Sequence, residues 1–253
     1  CEGKGETVAL SPSGYTGAAP FAGKEPGSNG LAFDATGRLV MAEHGDRRIS
    51  RLEPDGRKTT LADRWNGRRL NSPNDLVYDG QGNLIFTDPP WGLPGWWDDP
   101  AMELGFSGVY RLSPQGELTL LSRELEAPNG LALSPDGRSL VVTESKPGRF
   151  AWYVFDVRAD RSLAGPRLLR DAAPWATARP GAPDGLEFDR EGHLFAAGPG
   201  GVYVLTLDGT LLGVIETGRA TSNVTWGGDG SDLYITAGSV IYRLRTTTSG
   251  ALP

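Results

Sequence analysis

The stretch NSPNDLVYDGQGNLIFTDPP, residues 71–90, decides the fold once it is set beside EAPNGLALSPDGRSLVVTES, residues 126–145. Both open on a polar residue after proline, run into an alternating apolar strand, turn at a short Asp/Ser–Gly cluster and continue into a second strand. Working outward, the same unit recurs at Gly27 (GSNGLAFDATGRLVMAEHGDRR), Gly181 (GAPDGLEFDREGHLF) and Thr221 (TSNVTWGGDGSDLYITAG). The equivalent polar positions are Asn29, Asn74, Asn129, Asp184 and Asn223, with spacings of 45, 55, 55 and 39 residues. That period suits propeller blades of four short strands and is too long for leucine-rich repeats. No segment carries a helical period, so an all-β chain is expected.

The recurrent turns DATG, DGQG, SPDG, DREG and GGDG explain part of the 36 glycines in 253 residues, because such turns need an acceptor side chain and a positive φ. None matches a twelve-residue calcium loop closed by Glu. There is no Gly-x-Ser-x-Gly elbow, phosphate loop or dinucleotide fingerprint. With 25 Lys plus Arg against 31 Asp plus Glu the net charge is −6, which offers no field for a nucleic-acid backbone. No apolar run reaches the length of a membrane span, and the chain reads as a soluble domain of cytoplasm or periplasm. A single Cys, residue 1, excludes an internal disulfide or a cysteine zinc site, and two His are too few for a three-histidine zinc site.

The ordered set NGLAFDATGRLVMAEHGDRR, NSPNDLVYDGQGNLIFTDPPWGL, APNGLALSPDG and GAPDGLEFDREGHLF resembles the gluconolactonase family, also called the senescence marker protein or luciferin-regenerating family, from Ser11 to Arg245. The resemblance implies a six-bladed β-propeller that hydrolyses sugar lactones with a divalent cation at the mouth of its channel. Ca²⁺ is the first expectation, with Mg²⁺, Mn²⁺ or Zn²⁺ as alternatives. It further implies that Asn129 and Asp184 ligate the metal, that Asp184 also handles the proton, and that Asn74 faces the substrate. Residues heading successive blades converge on the channel despite their separation, and one carboxylate among amide oxygens is a hard-cation set. The Glu-Gly-Pro segment expected in the first blade is absent; neither Glu2-Gly3 nor Glu25-Pro26-Gly27 matches it. One domain over 1–253 is therefore expected, with 1–26 the remnant of a first blade short of roughly 40 residues and Gly5 to Pro12 pairing as a strand.

Other candidates carry two readings each. His44 in EHGDRR matches a family histidine near the pocket and is a substrate-binding candidate, or is a strand-end residue bonded to backbone. Asp75 and Asp88 could hold a second cation or stabilise turns. Trp91, with Trp96 and Trp97, forms an aromatic insertion that either rims a sugar ring or packs its own loop. Asn29 and Asn223 read as caps, His193 as an exposed turn residue, and Arg47-Arg48 as a solvated strand end. Rival functions are an aryl esterase or phosphotriesterase on a similar metal propeller, and a non-enzymatic propeller that binds a protein partner.

Overall fold

The computed structural model describes residues 8–250. It is a series of antiparallel meanders, each strand pairing with the next along the chain. The first sheet holds β1 (Ser28–Phe33), β2 (Leu39–Glu43), β3 (Arg48–Leu52) and β4 (Lys58–Ala62); a short hairpin, β5 (Arg64–Trp65) and β6 (Arg68–Arg69), follows. The second holds β7 (Leu76–Tyr78), β8 (Leu84–Asp88), β9 (Gly108–Leu112) and β10 (Leu118–Ser122). The third holds β11 (Pro128–Leu133), β12 (Ser139–Glu144), β13 (Ala151–Val157) and β14 (Leu163–Asp171). The fourth holds β15 (Leu186–Phe188), β16 (Leu194–Gly198), β17 (Gly201–Leu205) and β18 (Leu211–Glu216), and the fifth β19 (Thr221–Gly227), β20 (Asp232–Ala237) and β21 (Val240–Arg245). The only helices among the described residues are one turn each, Trp96–Asp98 and Ala173–Ala176.

The second strands LIFTD and SLVVTE are apolar on both faces because the second and third blades are each sandwiched between two others. Leu84 and Phe86 pack with Val40 and Ile49 of the first sheet, while Ile85 packs with Leu140 and Val142 of the third. Trp152 and Val154 meet Leu194 and Tyr203, and Phe195 meets Trp226 and Ile235. The core is thus four layers between five blades.

At the channel the first strands come closer than side chains allow. A Cβ on Gly30 would lie 2.7 Å from the Asn74 carbonyl oxygen, one on Gly130 2.2 Å from that of Asp184, and one on Gly185 2.1 Å from Asn223 Oδ1. The Asn-Gly and Asp-Gly pairs of the repeat are therefore demanded by contact with the next blade. Gly30 N–H also donates to the Asn74 carbonyl (2.6 Å) and Gly185 N–H to that of Ser222 (2.9 Å), which locks neighbouring first strands together.

Two expectations about the front of the chain change. The described residues form a propeller arrangement of five blades, not six, and no sheet covers the far face of β1, where Leu31 and Phe33 are 56% and 64% exposed. Residues 8–27 contain no strand; of the strand expected over Gly5 to Pro12, residues 5–7 lie outside the described residues. The composition of this segment explains the difference, since Pro12, Pro20 and Pro26 each lack a ladder donor. It drapes over the first sheet instead: Asp46 N–H donates to the Gly14 carbonyl (2.7 Å), Lys58 Nζ to that of Ser13 (3.0 Å), and Asp46 accepts from Thr16.

Candidate functional site

The blade-heading residues meet at one end of the channel. Asn29 Nδ2 donates to Asn74 Oδ1 (2.8 Å), Asn74 Nδ2 donates to Asn129 Oδ1 (2.6 Å), and Asn129 Nδ2 donates to Ser145 Oγ (3.2 Å). Ser145 Oγ–H in turn donates to the Pro183 carbonyl, directly before Asp184. The Asn129 amide also faces Asp184 and favours its ionised form. Asn29, read as a cap from the sequence, is bonded into this row, whereas Asn223 Oδ1 accepts its neighbour's backbone, Val224 N–H, at 2.8 Å.

His44 is buried, with Nε2 3.0 Å from Asn74 Oδ1 and Nδ1 3.1 Å from Glu25 Oε2. Glu25 gave no sequence signal beyond its failure to fit the family segment. It reaches the site because residues 13–27 cross the first sheet through close backbone passages, such as that of Gly45 against the Gly14 and Pro26 carbonyls. The hydrogen bond from His44 holds the Glu25 carboxyl below the usual range.

Acidic charge collects deeper in the channel. Asp184 is raised well above an ordinary carboxyl, first by burial and then by the Asp75 and Glu25 charges. Burial pushes Asp75 up to about 6; burial and the Asp75 charge push Glu187 up to about 8. Asp75 already accepts Leu76 N–H (2.9 Å) and Leu131 N–H (3.2 Å), tying two blades together, and Glu187, further along the same blade entry as Asp184, was not singled out from sequence. These carboxyls hold protons more tightly folded than unfolded. Between about pH 4, the ordinary carboxyl range, and pH 8 the folded state therefore carries the extra protons and stability falls as pH rises. Thermal unfolding of the chelator-treated protein should show a lower Tm at pH 8 than at pH 5, with Glu187→Gln flattening the slope; a Tm that climbs over this interval would contradict it.

Asp88 does not face the channel. Its carboxyl accepts Asn71 N–H and Ser72 N–H, both at 2.8 Å, and so pins the turn that delivers Asn74. Asp75 and Asp88 are thus not brought together as one cation pair. Arg47 is no solvated strand end either: it is buried and donates to the carbonyls of Leu70, Asn71 and Ala101, each at 2.9 Å, anchoring the aromatic insertion. Arg48 pairs with Asp46 at 3.0 Å and with Glu43.

Trp91 is half-buried and is followed by Gly92, whose Cβ position lies 2.7 Å from Ser72 Cβ and 3.0 Å from His44 Cβ, so this loop seals the histidine. Trp97 Nε1 donates to the Glu126 carbonyl (3.0 Å), and Lys146 Nζ sits 4.0 Å from its ring centre. Trp96, 40% exposed, packs edge-on against Trp97. The other histidine, His193, is bonded to Asp189 (3.0 Å) and with Glu191 makes an acidic cluster at the opposite end of β15. There Asp189 accepts Glu191 N–H and His193 N–H, which is the work of a turn.

Residues 8–239 match the SMP-30/Gluconolactonase/LRE-like region. The chain belongs to that family. It is 38% identical over 252 residues to a gluconolactonase of Zymomonas mobilis, a match that covers 97% of this chain and 71% of that protein. A solved gluconolactonase of Xanthomonas campestris shares 39% identity with a TM-score of 0.76, covering 87% of this chain and 72% of the other. A luciferin-regenerating enzyme at 21% identity shares the fold, with a TM-score of 0.71 over 90% of this chain and 80% of its own. No helix among the described residues is long and apolar enough to cross a membrane.

Proposed function

We propose that the chain opens a small sugar lactone at the channel mouth, with a divalent cation held by Asn129 and Asp184. The observation that carries the reading is Asp184 itself, a carboxylate lodged beside a row of amides with its charge opposed by burial and by Asp75 and Glu25. A carboxylate beside a row of amides, with no thiolate and with the one nearby imidazole turned to Glu25, has the chemistry of a hard-cation site, and Ca²⁺ would relieve that unmet charge once the Asn129 amide turns its oxygen from Asn74 toward Asp184. Bound there, the cation would polarise the lactone carbonyl and stabilise negative charge on its oxygen.

The chain's own groups supply the rest. A carboxyl whose proton affinity burial and neighbouring charge raise well above the ordinary carboxyl range is suited to take a proton from water and return it within one turnover. Asp184 takes a proton from the attacking water as its oxygen bonds to the carbonyl carbon. It returns the proton to the ring oxygen as the carbon–oxygen ester bond breaks, leaving a hydroxy acid. Asn74 orients the ring hydroxyls, and Trp91 flanks the sugar face and limits water.

The chain spans 71–72% of the lengths of the two gluconolactonases it matches.

Initial rates of acid release from gluconolactone, measured against an aryl ester and a phosphotriester, test the activity. Turnover is expected on the lactone, with loss on chelation and recovery on added Ca²⁺. Preference for the aryl ester, or an undiminished rate in chelator, would overturn the reading.

A further inference from the structure

Among the described residues, nine turns of one construction close strand pairs at the end of the channel away from the amide row. In each, the N–H of the fourth residue donates back to the carbonyl of the first, and the fourth residue holds a left-handed backbone. Gly takes that place in eight of the nine, from Gly37 to Gly230, at φ values of +68° to +92°. The exception lies between β13 and β14, where Arg161 N–H donates to the Arg158 carbonyl (2.9 Å) at a φ of +67°. A side chain in this conformation carries a steric cost that Gly escapes. Arg47, the other arginine with such a backbone (φ +58°), sets three hydrogen bonds against that cost. Arg161 has no such return. Beyond its own turn only its carbonyl is engaged, by Arg111 Nη1 at 3.4 Å, and its guanidinium bonds to no group among the described residues.

The Arg161 side chain lines an open cleft of about 800 Å³ at this end of the third blade, together with Arg138 and Arg158. Val157 N–H donates to the Arg138 carbonyl (2.8 Å), which holds the turn at Gly137 and the turn at Arg161 side by side. None of the three guanidiniums forms an ion pair among the described residues, whereas exposed arginines elsewhere, such as Arg149 and Arg179, pair with Glu126 and Glu216. Asp136 and Asp156 are the acids of the cleft wall. Asp136 is taken up by its own turn, accepting Ser134 Oγ–H (2.6 Å) and Arg138 N–H (3.0 Å), and Asp160, beside Arg161, likewise accepts Ser162 N–H (3.0 Å) and Oγ–H (2.7 Å). Three arginines against two aspartates leave the wall one positive charge, on a chain whose net charge is −6.

We propose that this cleft binds a small hydroxylated carboxylate and that Arg161 grips its carboxyl group. A planar guanidinium meets a carboxylate through two parallel N–H···O bonds, Arg138 and Arg158 surround it with positive charge, and Asp156 accepts from a ligand hydroxyl. One net positive charge suits a singly charged acid, while a phosphate monoester carries close to two negative charges at neutral pH and leaves an excess. The volume lies in the ordinary range of small-ligand sites. The cleft stands at the far end of β11 and β13 from the channel mouth, so the inference does not rest on the lactone reading. It also gives the strained backbone at Arg161 a reason, since a Gly there would close the same turn without a charge to offer.

Isothermal titration with gluconate, in chelator so that no cation occupies the channel mouth, tests the site. Binding is expected in the parent and in Asp184→Asn, and at least about tenfold weaker in Arg161→Gly, the scale of one charge-assisted pair. Glucose, which lacks the carboxylate, should give no binding. Because Arg161→Gly relieves the backbone, its Tm should equal or exceed the parent's, which separates lost binding from lost folding. No gluconate binding by the parent, parental affinity in Arg161→Gly, or loss confined to Asp184→Asn overturns the site. A Tm lower in Arg161→Gly than in the parent would make Arg161 a folding residue and overturn its role as the grip. Glucose binding as tightly as gluconate would overturn recognition by charge, and glucose 6-phosphate binding more tightly than gluconate would overturn the carboxylate assignment.

Discussion

Asp184→Asn is expected to lower lactone turnover by roughly 10² to 10⁴, the usual contribution of a positioned acid or base, and by more where the cation is lost as well. The substitution keeps the size of the side chain and one oxygen. It removes the charge that Asn129 faces and the basicity that proton transfer needs. Asn223→Ala is the matched control. Its amide oxygen serves only the adjacent backbone N–H of β19, at 2.8 Å, so turnover should stay within a few fold of the parent. Steady-state rates with metal content measured on the same samples decide the matter: equal losses in the two variants would mean that both act through folding, and an Asp184→Asn protein with parental rate and metal content would remove Asp184 from the mechanism.

The contrast between those two positions could not be read from the repeat, although the repeat itself was plain. Three of the blade heads press against the next blade, and the Gly after Asn29, Asn129 and Asp184 is there because a Cβ would collide. That constraint recurs at blade spacing and leaves a visible period. What each polar head bonds to depends on its neighbour across the channel, some 45 to 55 residues away, which periodicity does not encode. Hence Asn29 and Asn223 looked alike, yet one joins the amide row and the other serves its own strand. Glu25 was less legible still, since an irregular segment has no register from which to infer a destination. The burial of Arg47 follows from the insertion that covers it, whose path is equally non-periodic. The repeat counted five blade starts and five blade sheets stand; six was the number implied by the family resemblance and not by the spacing.

The largest effect expected on stability comes from Asp88. Its two carboxyl oxygens hold the N–H groups of Asn71 and Ser72, each at 2.8 Å, and all three residues are buried. The third sheet repeats the device: Glu144, at the end of β12, accepts Glu126 N–H at 2.8 Å and Ala127 N–H at 2.9 Å. In both blades the acid closing the second strand grips the turn that leads into the first, and so fixes the height at which Asn74 or Asn129 enters the channel. Asp88→Ala strands two buried donors at about 1–3 kcal/mol each, a loss of about 2–6 kcal/mol in unfolding free energy. Asp88→Asn, which keeps one good acceptor, should lose less. Because the carboxyl faces backbone and not the channel, added Ca²⁺ should not narrow the gap between Asp88→Ala and the parent in denaturant unfolding. A variant that unfolds within about 1 kcal/mol of the parent, below the cost of even one stranded donor, yet binds one cation fewer would return Asp88 to the role of metal ligand and undo the turn-gripping argument for both blades.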